Sequence, residues 1–175
     1  MEIKQGSSRF VIILGCFVFK FPKIMVWVCL KDVFFIIKKD RRWKHLKFYL
    51  SRTCYSKDFP GLRYYLLNGI ISNFKEYLFW LKYKNNFCEP TFFSLLGFVN
   101  IQRFSPPYNL LNKKDFWLKI RMVQNYDWDD GHHFCNSNNF NIRDGKILIV
   151  DYASSKTQRV ILKHGQNIIR HFSVL

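Results

Sequence analysis

The chain has 175 residues, which is enough for one domain or for two small lobes. Its composition excludes a disordered chain: 49% of the residues are hydrophobic and 19 are phenylalanine, whereas disordered proteins are poor in aromatic residues. Lysine and arginine outnumber aspartate and glutamate by 28 to 12, a net charge of +16. This surplus predicts attraction to polyanions such as nucleic acids, anionic membranes or nucleotide phosphates, unless it reflects only a genome that favours lysine codons.

The five cysteines favour a reducing compartment. They are widely spaced, form no C-x-x-C pair and are odd in number, which is unlike a disulfide framework. We therefore expect free, mostly buried thiols and a cytoplasmic protein. The longest uninterrupted apolar run, residues 10–19, is too short to span a bilayer, so no transmembrane segment is predicted and association with a membrane surface is a lesser alternative.

The N-terminal part begins with a predicted β-hairpin. Residues 9–14 and 17–21 are rich in β-branched and aromatic residues and flank Gly15, a pattern typical of two strands joined by a turn. Residues 24–60 follow as a basic insert whose fold the sequence does not define. Hydrophobic residues occur at helical spacing in one part of this insert, namely Trp43, Leu46, Tyr49 and Leu50.

Residues 62–83 are the strongest helix candidate. Hydrophobic residues recur there at intervals of three and four, and we expect them to form the buried face. They are Leu66, Ile70, Phe74, Tyr77 and Leu81. The long helix would be one of two main helices in the chain.

A second pair of strands and a linker complete this part. The strands are predicted at 91–96 and 98–102, on either side of a glycine turn. The Ser-Pro-Pro sequence that follows predicts a boundary between an N-terminal lobe, residues 1–104, and a C-terminal lobe, residues 105–175.

The C-terminal part is predicted to contain one helix and two hairpins. Asn112 can cap a helix over residues 113–125. Asp144-Gly145 lies between apolar segments and is a strong hairpin signal. The four predicted strands are residues 140–142 with 147–152, and residues 159–163 with 167–172.

The loop between this helix and the hairpins contains the most specific pattern in the chain. His132 is followed by Asn139 after seven residues, and Asp151-Tyr152 follows the first hairpin. The catalytic loop of protein kinases, H-R-D-L-x-x-x-N, has the same spacing and precedes a D-F-G metal-binding sequence. On this alignment Phe134 occupies the position of the catalytic aspartate.

Two residues of the N-terminal part extend the pattern. Lys20 belongs to the sequence Phe17-Val18-Phe19-Lys20, which resembles the kinase V-A-I-K sequence, and Glu76 lies on the predicted long helix. On these residues the chain resembles small protein-kinase-like proteins of bacteria and their phages. Further cues of the same kind are Gly6-Ser7-Ser8-Arg9, Asn73-x-x-Glu76 and Asn139-Phe140.

The resemblance implies an α+β fold: a reduced kinase-like two-lobe architecture with short antiparallel hairpins and two main helices. It implies a nucleotide-binding protein that uses ATP and Mg²⁺. Lys20 would hold the phosphates, Glu76 would orient Lys20, and Asn139 and Asp151 would hold the metal.

The phenylalanine in the loop leaves two versions of this function open. The chain is either a phosphotransferase or a catalytically impaired pseudokinase, because Phe134 cannot accept a proton. Asp130 and His132 are the candidate catalytic residues, with Asp130 or its neighbour Asp129 supplying the missing carboxylate.

A nucleic-acid-binding module without catalysis is the alternative. The basic residues between Lys38 and Arg52 would neutralise phosphates, and the aromatic residues among them would stack on bases. These aromatic residues are Trp43, Phe48 and Tyr49. A transition-metal site is a further alternative, for which the candidate ligands are Asp129, Asp130, His132, His133 and Cys135. The sequence leaves the oligomeric state open.

Overall fold

Five antiparallel strands form a sheet in the order β1-β2-β3-β5-β4. The computed structural model describes residues 1–6, 8–40, 43–51, 61–124 and 131–172. The strands are β1 (Glu2–Gln5), β2 (Arg9–Leu14), β3 (Phe17–Pro22), β4 (Thr91–Leu95) and β5 (Val99–Arg103). Both predicted hairpins of the N-terminal part are present, whereas β1 at the sheet edge was not predicted.

The sheet has a polar face directed inwards and an apolar face directed outwards. Lys20 lies beside Val11 on β2 and Asn100 on β5, so these side chains share one face, where Lys20 and Asn100 are buried. On the opposite face Phe10 and Phe17 are exposed. The inward polar face therefore needs hydrogen-bonding partners from the elements packed on it.

Helix α3 (Leu62–Tyr83) supplies those partners. Its buried residues are Gly69, Asn73, Glu76 and Phe79. The Asn73 side-chain amide donates to the carbonyls of Lys20 (3.0 Å) and Gly97 (2.9 Å). The predicted buried face was therefore wrong: Phe74 and Leu81 are exposed, because the polar stripe of α3 pairs with the polar face of the sheet.

The basic insert between β3 and α3 is helical where it is described. Helix α1 (Val26–Phe35) continues as a π-helical turn (Ile36–Asp40), and α2 (Trp43–Ser51) follows. The Tyr49 hydroxyl donates to Asp32 Oδ2 at 3.1 Å, which joins α2 to α1.

The C-terminal part contains most of the aromatic core of the molecule. Its elements are α4 (Lys113–Val123), α5 (Gly131–Phe134), a 3₁₀ turn (Ser137–Asn139), β6 (Phe140–Arg143), β7 (Lys146–Ile149) and α6 (Ser155–Phe172). Asn112 caps α4 as predicted, since its side chain accepts from the Asp115 amide. Phe116, Phe140, Ile149 and Ile168 are completely buried in this core.

The last hairpin was a wrong prediction, because residues 159–163 and 167–172 belong to α6. Their β-branched residues favour strands, but the residues that α6 buries recur at helical spacing. These are Thr157, Val160, Ile161, His164, Gly165, Ile168 and Phe172. Gly165 is not a turn residue; it faces the Phe87 ring so closely that a Cβ would lie 3.3 Å from Cδ1.

The predicted α+β class is confirmed by one antiparallel sheet, a second two-stranded sheet and several helices. Within the described ranges no helix combines the length and hydrophobicity that crossing a bilayer requires.

We predict that Gly69→Ala destabilises the protein, because Gly69 lets α3 approach the end of β3. A Cβ at this position would lie 2.8 Å from Pro22 Cα and closer still to the Ser8 carbonyl oxygen. Both obstacles include backbone, so the clash should outweigh the gain in helix propensity and lower the free energy of unfolding by about 1 to 3 kcal/mol. Urea denaturation measures this change.

Gly6→Ala is the matched control. Its Cβ would meet the Arg9 carbonyl oxygen at an ordinary 3.5 Å, so the stability should change by less than about 0.5 kcal/mol. Equal losses in both variants would contradict the close packing of α3 on β3.

Candidate functional site

Lys20 and Glu76 form a buried ion pair between the sheet and α3. Lys20 on β3 and Glu76 on α3 are 5% and 0% exposed. Lys20 Nζ lies 2.9 Å from Glu76 Oε2 and 3.2 Å from Oε1, and it donates to the Val150 carbonyl at 2.6 Å. The ammonium group therefore connects β3 to α3 and to the segment that follows β7.

Arg9 extends this pair to Asp151. Arg9 Nη1 lies 2.9 Å from Glu76 Oε1, and Nη2 lies 2.7 Å from Asp151 Oδ1. The guanidinium group also donates to Asn73 Oδ1 at 3.4 Å. We call Arg9, Lys20, Glu76 and Asp151 the charge cluster; it contains two cationic and two anionic side chains.

The pKa shifts in the charge cluster follow from burial and from the neighbouring charges. Burial opposes ionisation of Asp151, but the positive charges of Arg9 and Lys20 outweigh it and hold the pKa of this carboxyl well below its usual value. Burial alone would lower the pKa of Arg9, but Glu76 and Asp151 raise it. For Lys20 burial has the larger effect, so its pKa is lowered although Glu76 opposes the change.

A cleft of about 250 Å³ lies next to the charge cluster, between the polar face of the sheet and the β6–β7 side of the molecule. Lys4, Arg9 and Lys20 line it from the sheet, and Asn138 and Asp151 line it from the other side. Pockets for whole small-molecule ligands usually measure about 300 to 1,000 Å³. The cleft therefore has room for a phosphate chain rather than for a fully enclosed nucleotide.

Phe134 does not face this cleft. It is 1% exposed and packs against Phe87 and Phe140 at ring-centroid distances of 6.4 and 5.9 Å. The position aligned with a catalytic aspartate is thus part of the aromatic core. An aspartate there would bury an unpaired carboxylate among aromatic rings and would not reach the cleft.

Of the other residues in and next to this loop, some line the cleft and others do not. The Asn139 side chain donates to the His133 carbonyl at 3.0 Å, which stabilises the loop, and Asn138 and Asn141 are the asparagines that line the cleft. His133 Nε2 lies 4.0 Å from Asp151 Oδ2. His133 is therefore a histidine placed beside the charge cluster, although only His132 was predicted as a site residue.

Neither of the two predicted catalytic residues has a described side chain. Asp130 lies outside the described residues, and so does Asp129; His132 is in α5, but its side chain is not among those described. In the described part of the chain no three histidine, cysteine, aspartate or glutamate side chains are grouped to hold a metal ion. The transition-metal alternative therefore gains no support from these residues.

Sequence reasoning missed the role of Arg9. The sequence Gly6-Ser7-Ser8-Arg9 was noted only as a cue to the family, and a charged residue at a strand end normally lies in solvent. The available signal was the two-residue alternation of β2, which places Arg9 on the same face as Val11, the cross-strand partner of Lys20.

The basic insert offers only part of the predicted nucleic-acid surface. Phe48 is exposed together with Lys44 and Lys47. Tyr49 is buried against α1 and cannot stack on a base. Arg52 lies outside the described residues, and the side chain of Trp43 is not described.

Comparison with known proteins found no protein similar to this chain. No family model matches the chain, and neither the curated proteins nor the solved structures contain a match. Function must therefore be inferred from the geometry of this chain.

We predict that Glu76→Gln destabilises the fold strongly. Glu76 accepts from both Arg9 and Lys20 in the interior, so its neutralisation leaves a buried excess of positive charge. Removing one partner of a buried ion pair typically lowers the free energy of unfolding by about 3 to 5 kcal/mol. Denaturant unfolding followed by circular dichroism measures the loss.

Glu2→Gln is the control for the loss of a glutamate charge. Glu2 pairs with Lys4 at 3.3 Å, but both side chains are more than half exposed, so the change should be below about 1 kcal/mol. Similar effects of both substitutions would show that the buried pair has no special structural role.

We also predict that the contribution of Asp151 to stability disappears in acid. Because the pKa of Asp151 is lower in the folded state than the ordinary value for an aspartate, which applies to the unfolded chain, the unfolded chain binds the proton first as the pH falls. The contribution is complete above about pH 5 and decreases by about 1.4 kcal/mol per pH unit below about pH 4. The difference in unfolding free energy between wild type and Asp151→Asn should therefore shrink between pH 6 and pH 3.

Asp144→Asn serves as the control, because Asp144 is 88% exposed and lies 3.9 Å from its partner Arg143. Its difference from wild type should stay small over the same pH range. A pH-independent difference for Asp151→Asn would contradict a carboxylate stabilised by Arg9.

Proposed function

We propose that this chain is a kinase-like nucleotide-binding protein of the pseudokinase type, which holds the phosphates of ATP beside the charge cluster. The observation that carries this proposal is the Lys20–Glu76 ion pair between β3 and α3, with Asp151 beside it. Protein kinases likewise pair a lysine on a central strand with a glutamate on the following helix, next to a metal-binding aspartate.

The charges around the cleft support phosphate as the ligand. Among the described residues four cations line it, against one carboxylate from Asp151; the cations are Lys4, Arg9, Lys20 and Arg103. A triphosphate carries several negative charges, and Arg9 and Lys20 are held by the fold in fixed positions. Charge-assisted contacts from such preorganised cations are stronger than those from mobile surface lysines.

The residues present suit a magnesium ion that arrives with the nucleotide. Mg²⁺ is commonly bound by one or two carboxylates together with phosphate oxygens and water. Asp151 would supply the carboxylate, since it lines the cleft and its Oδ2 is not the oxygen bound by Arg9. Asn139 could join it only after leaving the His133 carbonyl. The ion would neutralise phosphate charge.

Binding rather than fast phosphoryl transfer is the activity that we propose. Phe134 is buried in the core, so the aligned position contributes no proton acceptor to the cleft. Among the described residues His133 is a titratable loop side chain that lies beside Asp151. Positioning and electrostatics provide most of the catalysis in phosphoryl transfer, so a slow residual transfer is compatible with this site.

The nucleic-acid alternative ranks second. It rests on the net charge of +16 and on the exposed Lys44, Lys47 and Phe48 of α2. Burial of Tyr49 removes one of its stacking residues. The charge cluster has no role in that alternative, whereas nucleotide binding gives it one.

We predict that Mg-ATP stabilises the protein against heat. At a ligand concentration of 100 times Kd the gain is about 2.7 kcal/mol, or about 5 to 10 °C in Tm for a chain of this size. Lys4→Gln removes an exposed cation of the cleft without disturbing the charge cluster, and should weaken ATP binding severalfold. Asp151→Asn should remove the difference in affinity between Mg-ATP and ATP with EDTA.

Lys113→Gln, at the start of α4 and away from the cleft, is the matched control and should bind ATP like wild type. Isothermal titration calorimetry with ATP measures these affinities. If ATP does not bind, or if Lys4→Gln and Lys113→Gln weaken it equally, the cleft is not the nucleotide site.

A further inference from the structure

The solvent-facing side of α1 combines large hydrophobic residues with lysines. Trp27, Leu30 and Phe34 occupy one face of the helix at intervals of three and four residues, and they are 69%, 54% and 63% exposed. Lys31 and Lys38 are exposed on the same side. Soluble proteins rarely leave contiguous large hydrophobic residues in water without a binding role.

The position of the charges makes this face cationic throughout. Lys38 Nζ lies 5.5 Å from the centroid of the Phe34 ring, and Lys31, Phe34, Phe35 and Lys38 line a shallow groove. Asp32, the only acidic residue of α1, points to the opposite side, where Tyr49 donates to it. Over residues 24–51 seven lysines and arginines stand against two aspartates.

We infer that α1 docks this face on an anionic membrane surface. Tryptophan and phenylalanine insert at the level of the lipid headgroups. Lysine side chains beside them extend towards the phosphates, and each basic residue near an anionic leaflet adds to the affinity. The basic insert is thus a peripheral membrane anchor, separate from the cleft and independent of nucleotide binding.

Other occupants fit this surface less well. Nucleic acid would use the lysines and the aromatic rings, but Leu30 and Ile37 offer no stacking surface for bases. A second copy of the chain would bring two faces of the same positive charge together, which is unfavourable. An anionic lipid surface satisfies both the hydrophobic residues and the charges.

Flotation of the full-length chain with lipid vesicles tests the inference. Wild type should bind vesicles that contain about one third phosphatidylserine, bind pure phosphatidylcholine much less, and lose affinity as salt is raised. Trp27→Ser/Leu30→Ser/Phe34→Ser should lose binding. Lys31→Glu/Lys38→Glu should weaken binding at least about tenfold, while Lys31→Arg/Lys38→Arg retains it. All these side chains are exposed, and circular dichroism checks that the fold is kept.

Leu118→Ser/Met122→Ser/Leu162→Ser is the matched control, since these hydrophobic residues are also exposed on helices but have no place in the docking face. It should bind vesicles like wild type. The inference is overturned if the α1 variants bind as wild type does, if the chain binds duplex DNA or RNA but not vesicles, or if sedimentation shows a dimer that the α1 substitutions abolish while vesicles stay unbound.

Discussion

The contact between Glu76 and two cations is the interaction on which the rest of the structure depends. Arg9 comes from β2, Lys20 from β3, Glu76 from α3 and Asp151 from the segment after β7. Charges of this kind are costly to bury singly, and only their mutual pairing makes the interior position tolerable. The charge cluster therefore fixes how the sheet, the long helix and the C-terminal part meet, and it places three of the residues that line the cleft.

The same contact explains why the sheet is built with its polar face inwards. A buried polar face must be satisfied by its neighbours, and Asn73 does this for the backbone at Lys20 and Gly97. Most of the aromatic core then lies in the C-terminal part, around Phe116 and Phe140, with Phe79 and Phe87 packed into it from the N-terminal part. The C-terminal part thus supplies most of the hydrophobic packing, and the N-terminal part supplies three of the four residues of the charge cluster, Asp151 being the fourth.

Much of the local structure, but little of the packing, was predictable from the sequence. The limits of α3 were predicted well because periodicity extends over 22 residues. Its buried face was wrong, since Lys20, a partner of both Asn73 and Glu76, lies more than 50 residues away along the chain. The proximity of Lys20 to Glu76 was expected only from the resemblance to kinases. Arg9 was missed because its partners are defined by tertiary contacts, and α6 was mistaken for a hairpin because β-branched residues and a central glycine outweighed its helical spacing.

The three acceptors around Lys20 Nζ have a consequence for any anion that enters the cleft. An ammonium group has three protons, and here both Glu76 oxygens and the Val150 carbonyl lie within hydrogen-bonding distance. An anion could accept a hydrogen bond from this lysine only by displacing one of these acceptors. The Val150 carbonyl is the acceptor to be displaced, because it is uncharged whereas Glu76 is an anion. If the proposed nucleotide binds here, its binding would be coupled to a small shift of the backbone next to Asp151, and the structure described would be a closed form that the ligand has to open.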